Sequence, residues 1–256
     1  MVKFTLISHI FNEEYLLPMW LEHHKTLFEN IIIIDYNSTD NSINICKSIC
    51  PNATIINSRN KNFKASDVDQ EVMDIENGIE GFKIALNITE FLISKNPLQE
   101  FFKDFENRNI CFSIKAYSPY SNKIQDINNY KQMFSYLLND DVVFHKDRGY
   151  RQLHNYNNGA YNIGRHHSNH QMYMLNDDIN INIIWFGYFP MNEMIFKRKL
   201  QIQNNIPLED KLANYGGHHI TDRKKILETL NDKINTGEKL SKLNPYLYEF
   251  IKNNFK

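Results

Sequence analysis

Polar side chains that could do chemistry follow three short apolar runs of the sequence. The run KFTLIS leads into SHIFNEE, IIII leads into DYNSTD, and GFKIAL leads into NITE. Amides and hydroxyls donate and accept hydrogen bonds, and carboxylates accept them or take up protons. In open α/β sheets, ligands bind beyond the carboxyl ends of the strands. If the apolar runs are parallel strands, the three polar segments lie at the ligand-binding edge of one sheet.

Asp35 stands at the tip of the second apolar run. Its carboxylate is a candidate acceptor for a nucleotide base or a ribose hydroxyl. The alternative is structural: Asp35 and Ser38 would form a turn and a helix cap, which contributes about 1 kcal/mol. The sequence leaves both interpretations open.

The segment NITE also matches the N-glycosylation pattern, with Asn87 as the acceptor. Such an acceptor requires an exposed loop of a secreted protein. Asn87 instead follows a near-continuously apolar run, which is typical of a central, buried strand. The amino-terminal segment does not have the pattern of a signal peptide, because its apolar run is short and acids follow it closely. We therefore expect NITE to lie at the ligand-binding edge of the sheet and not to be glycosylated.

Strands and helices alternate along the first third of the chain. The predicted strands are 3–8, 31–34, 53–56 and 81–86, and the predicted helices are 13–28, 38–49 and 67–77. This alternation favours an α/β fold with a mostly parallel open sheet. Shorter strands are predicted at 110–117, 141–145 and 159–164, and helices at 191–203, 208–214, 221–234 and 245–256.

Two common nucleotide-binding motifs are missing from the sequence. A dinucleotide-binding domain needs G-x-G-x-x-G after its first strand, because a side chain there keeps the backbone away from the pyrophosphate. The chain has only 9 glycines and none at that turn, and it has no P-loop pattern. Any nucleotide is therefore bound in another way.

The composition limits the partners and the location. A net charge of −1 gives no basic surface for nucleic acid or an anionic membrane. No run approaches the roughly 18 apolar residues of a membrane span. Cys46, Cys50 and Cys111 do not form a disulfide framework and are expected to be buried, reduced thiols. We therefore predict a cytoplasmic location.

Several linked segments resemble the family 2-like glycosyltransferases with a GT-A fold. They are the Asn-Glu after the first strand, WLEHH on the first helix, DYNSTD after the second strand, and EGFKIALNITEFL. A looser similarity continues through WFGYFPMNEMIFKRKLQ. The chain has no internal repeat and no low-complexity linker, so we predict one domain over 1–256. With the resemblance, its parts are a nucleotide-binding half (1–95), an acceptor-side half (96–189) and a helical part (190–256). The resemblance also implies transfer from a nucleotide-sugar donor to a glycan or other hydroxyl acceptor.

The resemblance assigns roles to individual residues. Asn12 and Glu13 would lie near the nucleotide, and Asp35 would meet its base or ribose. His23 and His24, on the first helix, are expected to pack and to form hydrogen bonds outside the site. Asn87, Thr89 and Arg165 are further candidates for contact with the donor.

One motif departs from the family pattern. The family usually carries Asp-x-Asp-Glu-Phe after the central strand, where the aspartates hold a divalent ion. Here the matching residues are Asn87, Ile88, Thr89, Glu90 and Phe91. Mg²⁺ and Mn²⁺ prefer anionic oxygen, but Mg²⁺ is often held by one or two carboxylates together with substrate phosphates.

Two interpretations of this departure remain open. In one, Glu90 and the donor phosphates hold Mn²⁺ or Mg²⁺, completed by a histidine such as His166 or His218. In the other, the site works without a metal, and cations meet the diphosphate charge. The candidate cations are Lys146, Arg148, Arg151 and Arg165. His166 and His170, four residues apart, also have a spacing that can bind zinc on a helix, although GRHHSNH is expected to form a loop.

The base that would deprotonate an acceptor is expected among the acids of the second half. Glu193 and Asp178 are the candidates by position, followed by Asp177. Trp185 and Tyr188 could stack on a sugar ring or belong to the core. Two other functions compete with transfer: a catalytically inactive glycosyltransferase-like protein that binds a nucleotide or sugar, and a histidine-based metal enzyme.

Overall fold

The computed structural model describes residues 2–123, 126–146, 149–175, 181–213, 215 and 220–255. Within these residues the strands are β1 Phe4–Ile10, β2 Asn30–Asp35, β3 Thr54–Asn57, β4 Phe82–Ala85, β5 Glu90–Ser94, β6 Cys111–Tyr120, β7 Val143–His145, β8 Tyr150–His154, β9 Met172–Met174 and β10 Ile181–Trp185. The helices are α1 Leu17–His24, α2 Ser42–Ile49, α3 Ala65–Glu76, α4 Leu98–Phe102, α5 Tyr130–Tyr136, α6 Glu193–Gln201, α7 Leu208–Leu212, α8 Arg223–Thr236, α9 Leu240–Leu243 and α10 Pro245–Asn254.

A single twisted path of strands runs through the molecule in the order β3-β2-β1-β4-β8-β6-β10-β5. The pairings make β3, β2, β1, β4, β6 and β10 parallel to one another, whereas β8 and β5 run in the opposite direction. The predicted α/β fold, with a mostly parallel open sheet and a largely helical carboxyl-terminal part, is confirmed. Strand β4 is internal, as its apolar sequence predicts.

The direction of the strands determines which residues meet. The carboxyl ends of β1, β4, β6 and β10 lie at one edge of the sheet, and the amino ends of β8 and β5 lie at the same edge. Trp185 at the end of β10 pairs with Glu90 at the start of β5. Residues far apart in sequence, such as Glu90 and Arg151, are therefore brought together.

Helix α1 covers the outer edge of β5, the last strand of the path. Trp20 Nε1 donates to the Glu90 carbonyl oxygen at 2.9 Å, and His23 Nε2 lies 2.6 Å from the Leu92 carbonyl oxygen. The Leu92 N–H donates to His24 Nε2 at 3.1 Å. These contacts satisfy an edge that would otherwise present unpaired backbone groups, so the two histidines pack and form hydrogen bonds as expected.

The element boundaries differ from the sequence prediction in several places. The helix predicted over 13–28 is reduced to Leu17–His24, with Pro18 in its first turn. Helix α2 begins at Ser42, whose N–H donates to Asp40 Oδ1 at 2.9 Å, so neither Ser38 nor Thr39 caps it. The strand predicted at 159–164 is wrong: that segment contributes one isolated bridge, between Tyr161 and Ser168. No described helix is long and apolar enough to cross a membrane.

Candidate active site

A cavity of about 530 Å³ opens at the carboxyl edge of the sheet. The strand side is contributed by His9 from β1, Asn87 and Thr89 after β4, Tyr120 from β6 and Trp185 from β10. Residues of α6, α7 and α8 form part of the opposite wall. The cavity has the size of a small-ligand site and lies where open α/β sheets bind ligands.

Glu90 is buried and bound by an arginine. Arg151 Nε donates to Glu90 Oε2 at 2.8 Å, and Arg151 Nη2 donates to Glu90 Oε1 at 2.7 Å. Glu90 Oε2 also accepts the Asn87 N–H at 2.8 Å. Of the pair, Arg151 belongs to the described lining of the cavity and Glu90 does not. The one charged residue left from the family motif therefore holds an arginine at the cavity wall.

Arg165 is the second arginine at this end of the cavity. Its Nη1 donates to Asp69 Oδ1, and its Nη2 donates to Asn87 Oδ1 at 3.2 Å. The Gly164 N–H donates to Asp69 Oδ2 at 2.7 Å, which docks the loop on helix α3. Arg165 has a φ of 57°, in the left-handed region that costs a non-glycine residue about 1–3 kcal/mol.

His9 faces this cluster from β1 and is half-buried. Burial, and next the positive charge of Arg165, lower its pKa to about 3. His9 is therefore neutral at physiological pH, and it adds a hydrogen-bonding group to the cavity without adding charge.

A second ion pair closes the cavity near β1. Arg198 of α6 binds Glu13 with both arms of its guanidinium group, at 2.6 and 2.7 Å. The Glu13 N–H donates to Ser42 Oγ at 2.9 Å. Glu13 and Arg198 both line the cavity, so helix α6 is tied to the turn after the first strand.

Asn12 and Asp35 shape a neighbouring turn. Asn12 Oδ1 accepts the Thr39 N–H at 2.8 Å, and Asp35 Oδ1 accepts the Ser38 N–H at 3.0 Å. Asn12 has a left-handed φ of 52°. Neither residue is among those described as lining the cavity. The turn predicted for Asp35 and Ser38 therefore has direct support, whereas the helix cap does not form. Contact of Asp35 with a nucleotide stays a prediction.

Aromatic side chains form another part of the cavity wall. The rings of Trp185 and Tyr188 meet edge to face at 5.9 Å, and Lys199 Nζ lies 3.4 Å from the centre of the Tyr188 ring. Gly187 is required between them, because a Cβ atom there would lie 2.0 Å from the Trp185 ring. Such a surface can stack on a sugar ring.

Other predicted site residues are placed differently. His166 lines the cavity, with Nδ1 3.1 Å from Arg151 Nη1. His170 instead stacks on Tyr156 at 3.7 Å. Glu193 is exposed on α6 and bound by Arg223, whose hydrogen bond lowers the Glu193 pKa, and it does not reach the described cavity lining. Asp178, Asp177, His218 and Arg148 lie outside the described residues.

A divalent ion does not fit the donor atoms that this part of the chain offers. Both Glu90 oxygens are bound by Arg151, and Asn87 Oδ1 accepts from Arg165. Among the described residues, no group of three histidine, cysteine, aspartate or glutamate side chains is arranged to hold a metal. A cation at Glu90 would have to displace a buried guanidinium group.

Several titratable residues of the cavity were not selected from the sequence, among them His9, Asp69, Arg198 and Asp210. His9 immediately precedes the turn of the first strand and could have been found from the strand-end rule. Asp69, Arg198 and Asp210 lie on helices, and only the folded chain brings them to the sheet edge. Asp210 Oδ2 accepts the Ala65 N–H at 2.8 Å.

Several solved structures match this chain at low sequence identity, with TM-scores below 0.5. The crystal structure of S. aureus TarS 1-349 matches with a TM-score of 0.42 and 13% identity, over 98% of this chain and 87% of that chain. A longer S. aureus TarS structure matches with a TM-score of 0.44 and 14% identity, and this chain covers 53% of it.

A third similar structure is glucosyl-3-phosphoglycerate synthase from Mycobacterium tuberculosis, in complex with Mn²⁺, uridine diphosphate and glucosyl-3-phosphoglycerate. It matches over 46% of this chain and 44% of that chain, with 13% identity and a TM-score of 0.32. No family model and no curated protein matches the chain. These similarities assign neither a donor nor an acceptor to this protein.

Proposed function

We propose that the protein is a glycosyltransferase that moves a sugar from a nucleotide-sugar donor to a hydroxyl acceptor, such as a glycan. The observation that carries the proposal is the cavity at the carboxyl edge of the sheet. It combines buried arginines at the end of β4 with an aromatic wall at the end of β10. Arginines suit a diphosphate, and aromatic rings suit a sugar.

The donor-binding residues in this proposal are those that line the cavity. Arg165 and Arg151 face the diphosphate, and Asn87 and Thr89 lie beside them. Glu13 acts through Arg198, which it holds at the cavity wall. Asn12 and Asp35 shape the turn that would border the nucleotide.

The transfer breaks the bond between the anomeric carbon and the diphosphate oxygen and forms a bond to the acceptor oxygen. The acceptor proton passes to a base, and the nucleoside diphosphate leaves. Three carboxylates line the described cavity: Glu13, Asp69 and Asp210. The first two are bound by arginines, so Asp210 is the base that we propose. Glu193 is not retained for this role, because its carboxylate is exposed and bound by Arg223.

The divalent cofactor suggested by the family resemblance, Mn²⁺ or Mg²⁺, is not part of this proposal. The metal roles of Glu90 and His166 conflict with the hydrogen bonds that both side chains share with Arg151. We also propose a cytoplasmic location, which the free thiols of Cys46, Cys50 and Cys111 support.

The test is calorimetry and product analysis with a panel of nucleotide sugars and the corresponding nucleoside diphosphates. We expect at least one nucleotide sugar to bind and to release its nucleoside diphosphate, slowly with water and faster with the correct acceptor. Absence of binding across the panel at millimolar concentrations would rule the proposal out.

Binding without any turnover would favour the second candidate, a nucleotide- or sugar-binding protein without catalysis. The observation behind it is the loss of the family aspartates, with Glu90 fully engaged by Arg151. A panel of acceptors, including mono- and oligosaccharides, separates a missing acceptor from a missing activity.

A further inference from the structure

Two buried arginines reach the cavity at the carboxyl end of β4, where the resembled family places its metal-binding acids. The Arg151 side chain is 3% exposed and the Arg165 side chain 5%. Each is held by a carboxylate, Glu90 in one case and Asp69 in the other. The two guanidinium groups are therefore fixed before any ligand binds.

One hydrogen-bond donor of Arg165 is unpaired in the structure. Its Nε is buried and has no hydrogen-bond partner among the described residues. Leaving a buried donor unpaired costs about 1–3 kcal/mol, more for a charged group. Buried polar groups without partners are rare and call for an explanation. Because Nε itself has almost no accessible surface, a ligand in the cavity would meet Arg165 at the second N–H of Nη1 and of Nη2.

The backbone conformation supports the same assignment. Arg165 adopts a left-handed φ of 57° directly after Gly164, whose φ is 86°. Asp69 accepts hydrogen bonds from the Gly164 N–H and from the Arg165 guanidinium group. The strained loop thus aims Arg165 at the cavity and holds it there.

A divalent cation cannot share this arrangement without breaking it. Mg²⁺ and Mn²⁺ need several oxygen ligands, of which at least one is usually a carboxylate. The carboxylate of Glu90 is used by Arg151 and that of Asp69 by Arg165, so neither carboxylate is available to a cation.

We propose that Arg151 and Arg165 provide the counter-charge for the donor diphosphate, so that donor binding and sugar transfer require no divalent cation. This inference rests on the glycosyltransferase function proposed above. Each guanidinium group keeps at least one N–H beyond those bound by its described partners, and this N–H can donate to a phosphate oxygen. As the bond to the anomeric carbon breaks, negative charge grows on the leaving phosphate, and fixed guanidinium groups stabilise it.

The first experiment compares binding of uridine, guanosine, cytidine, adenosine and thymidine diphosphates in excess EDTA and in excess Mn²⁺. Equal affinity in the two conditions, within about threefold, supports the inference. Binding that appears only with Mn²⁺ overturns the inference and leaves the proposed function standing. Absence of binding in both conditions overturns both.

The second experiment removes one arginine without leaving its carboxylate unpaired. The double variant Arg165→Gln/Asp69→Asn neutralises both members of the pair, and its effect is measured in EDTA. We expect the affinity for the nucleoside diphosphate to fall about 10- to 100-fold, as for the loss of a charged hydrogen bond. The affinity for the matching nucleoside monophosphate should fall less, because the monophosphate lacks the second phosphate and loses less contact with the arginine.

The matched control is Arg59→Gln/Asp74→Asn, an exposed pair of the same chemistry outside the cavity lining. For each variant we compare the ratio of diphosphate affinity to monophosphate affinity. If this ratio is the same in Arg165→Gln/Asp69→Asn as in the control, the assignment is overturned. If the double variant does not fold, Arg165→Lys keeps the charge beside Asp69 but loses the fork. It should still lower the ratio, and no change in the ratio counts against the inference. Arg151→Gln/Glu90→Gln repeats the test at the second arginine.

Discussion

At the end of β4, the charged residue Glu90 holds an arginine side chain. In one of the two interpretations of the sequence, Glu90 binds a metal; in the structure it is buried against Arg151 with both oxygens engaged. A buried pair of this kind contributes little net stability, because desolvation offsets the attraction. Its value is positional: it fixes a guanidinium group at the wall of a cavity.

This arrangement predicts how stability responds to substitution. Glu90→Ala leaves Arg151 buried without its partner and should lower the free energy of unfolding by about 3–5 kcal/mol. Adding Arg151→Met removes the stranded charge and should recover part of that loss. Chemical denaturation of Glu90→Ala, of Arg151→Met and of the double variant gives a double-mutant cycle for the pair. Additive effects of the two single changes would contradict the pairing.

Asp210 carries the second prediction at this scale. Asp210→Asn preserves an acceptor for the Ala65 N–H but cannot take up the acceptor proton. We expect kcat to fall about 100- to 10,000-fold, the usual contribution of a general base. The affinity for nucleoside diphosphates should stay within a few-fold of the parent. A parent-like kcat would return the role of base to Asp178 or another acid.

The element scale shows why part of the fold could be predicted and part could not. Strands β1, β2 and β4 are apolar runs between polar turns, and their positions follow from sequence alone. Strand β5 starts five residues after the end of β4 and runs antiparallel to β10. The local sequence FLIS does not indicate this change of strand direction. The pairing of Glu90 with Arg151 joins residues 61 apart, so it depends on the path of the whole sheet.

Helix α1 illustrates an element whose contribution is pH-dependent. Burial lowers the pKa of His23 to about 4 and the pKa of His24 well below its usual value. Both are therefore neutral in the folded protein at pH 5, whereas the unfolded chain takes up protons there. Stability should fall as the pH drops below about 6.5, by about 2 kcal/mol at pH 5 for His23 alone.

Denaturation curves at pH 7 and pH 5 measure this effect. His23→Gln keeps a donor for the Leu92 carbonyl oxygen and removes one titrating group, so the difference between the two pH values should shrink by about 2 kcal/mol. His170→Asn, away from helix α1, serves as the control. It should reduce the difference in unfolding free energy between pH 7 and pH 5 less than His23→Gln does. An unchanged difference in His23→Gln would show that this histidine is not the cause.

At the scale of the whole molecule, the cavity exists because the helical part closes over the sheet. Arg198 of α6 binds Glu13 after β1, and Asp210 of α7 accepts the Ala65 N–H at the start of α3. The sequence indicated both the sheet and the helices, but their contact depends on side chains about 145 to 185 residues apart. A ligand in the cavity touches both parts, and it should therefore stabilise the folded state as a unit.

Thermal unfolding tests this coupling. A nucleoside diphosphate present at about 100 times its Kd should stabilise the protein by about 2.7 kcal/mol. For a chain of this size, that corresponds to a rise in Tm of about 5 to 10 °C. The rise should be the same in EDTA as in Mn²⁺, because the arginines proposed to meet the diphosphate are already held by Glu90 and Asp69. It should shrink in Arg165→Gln/Asp69→Asn and persist in Arg59→Gln/Asp74→Asn. A rise confined to Mn²⁺ would mean that the diphosphate is held by a metal and that the two buried arginines serve the fold alone.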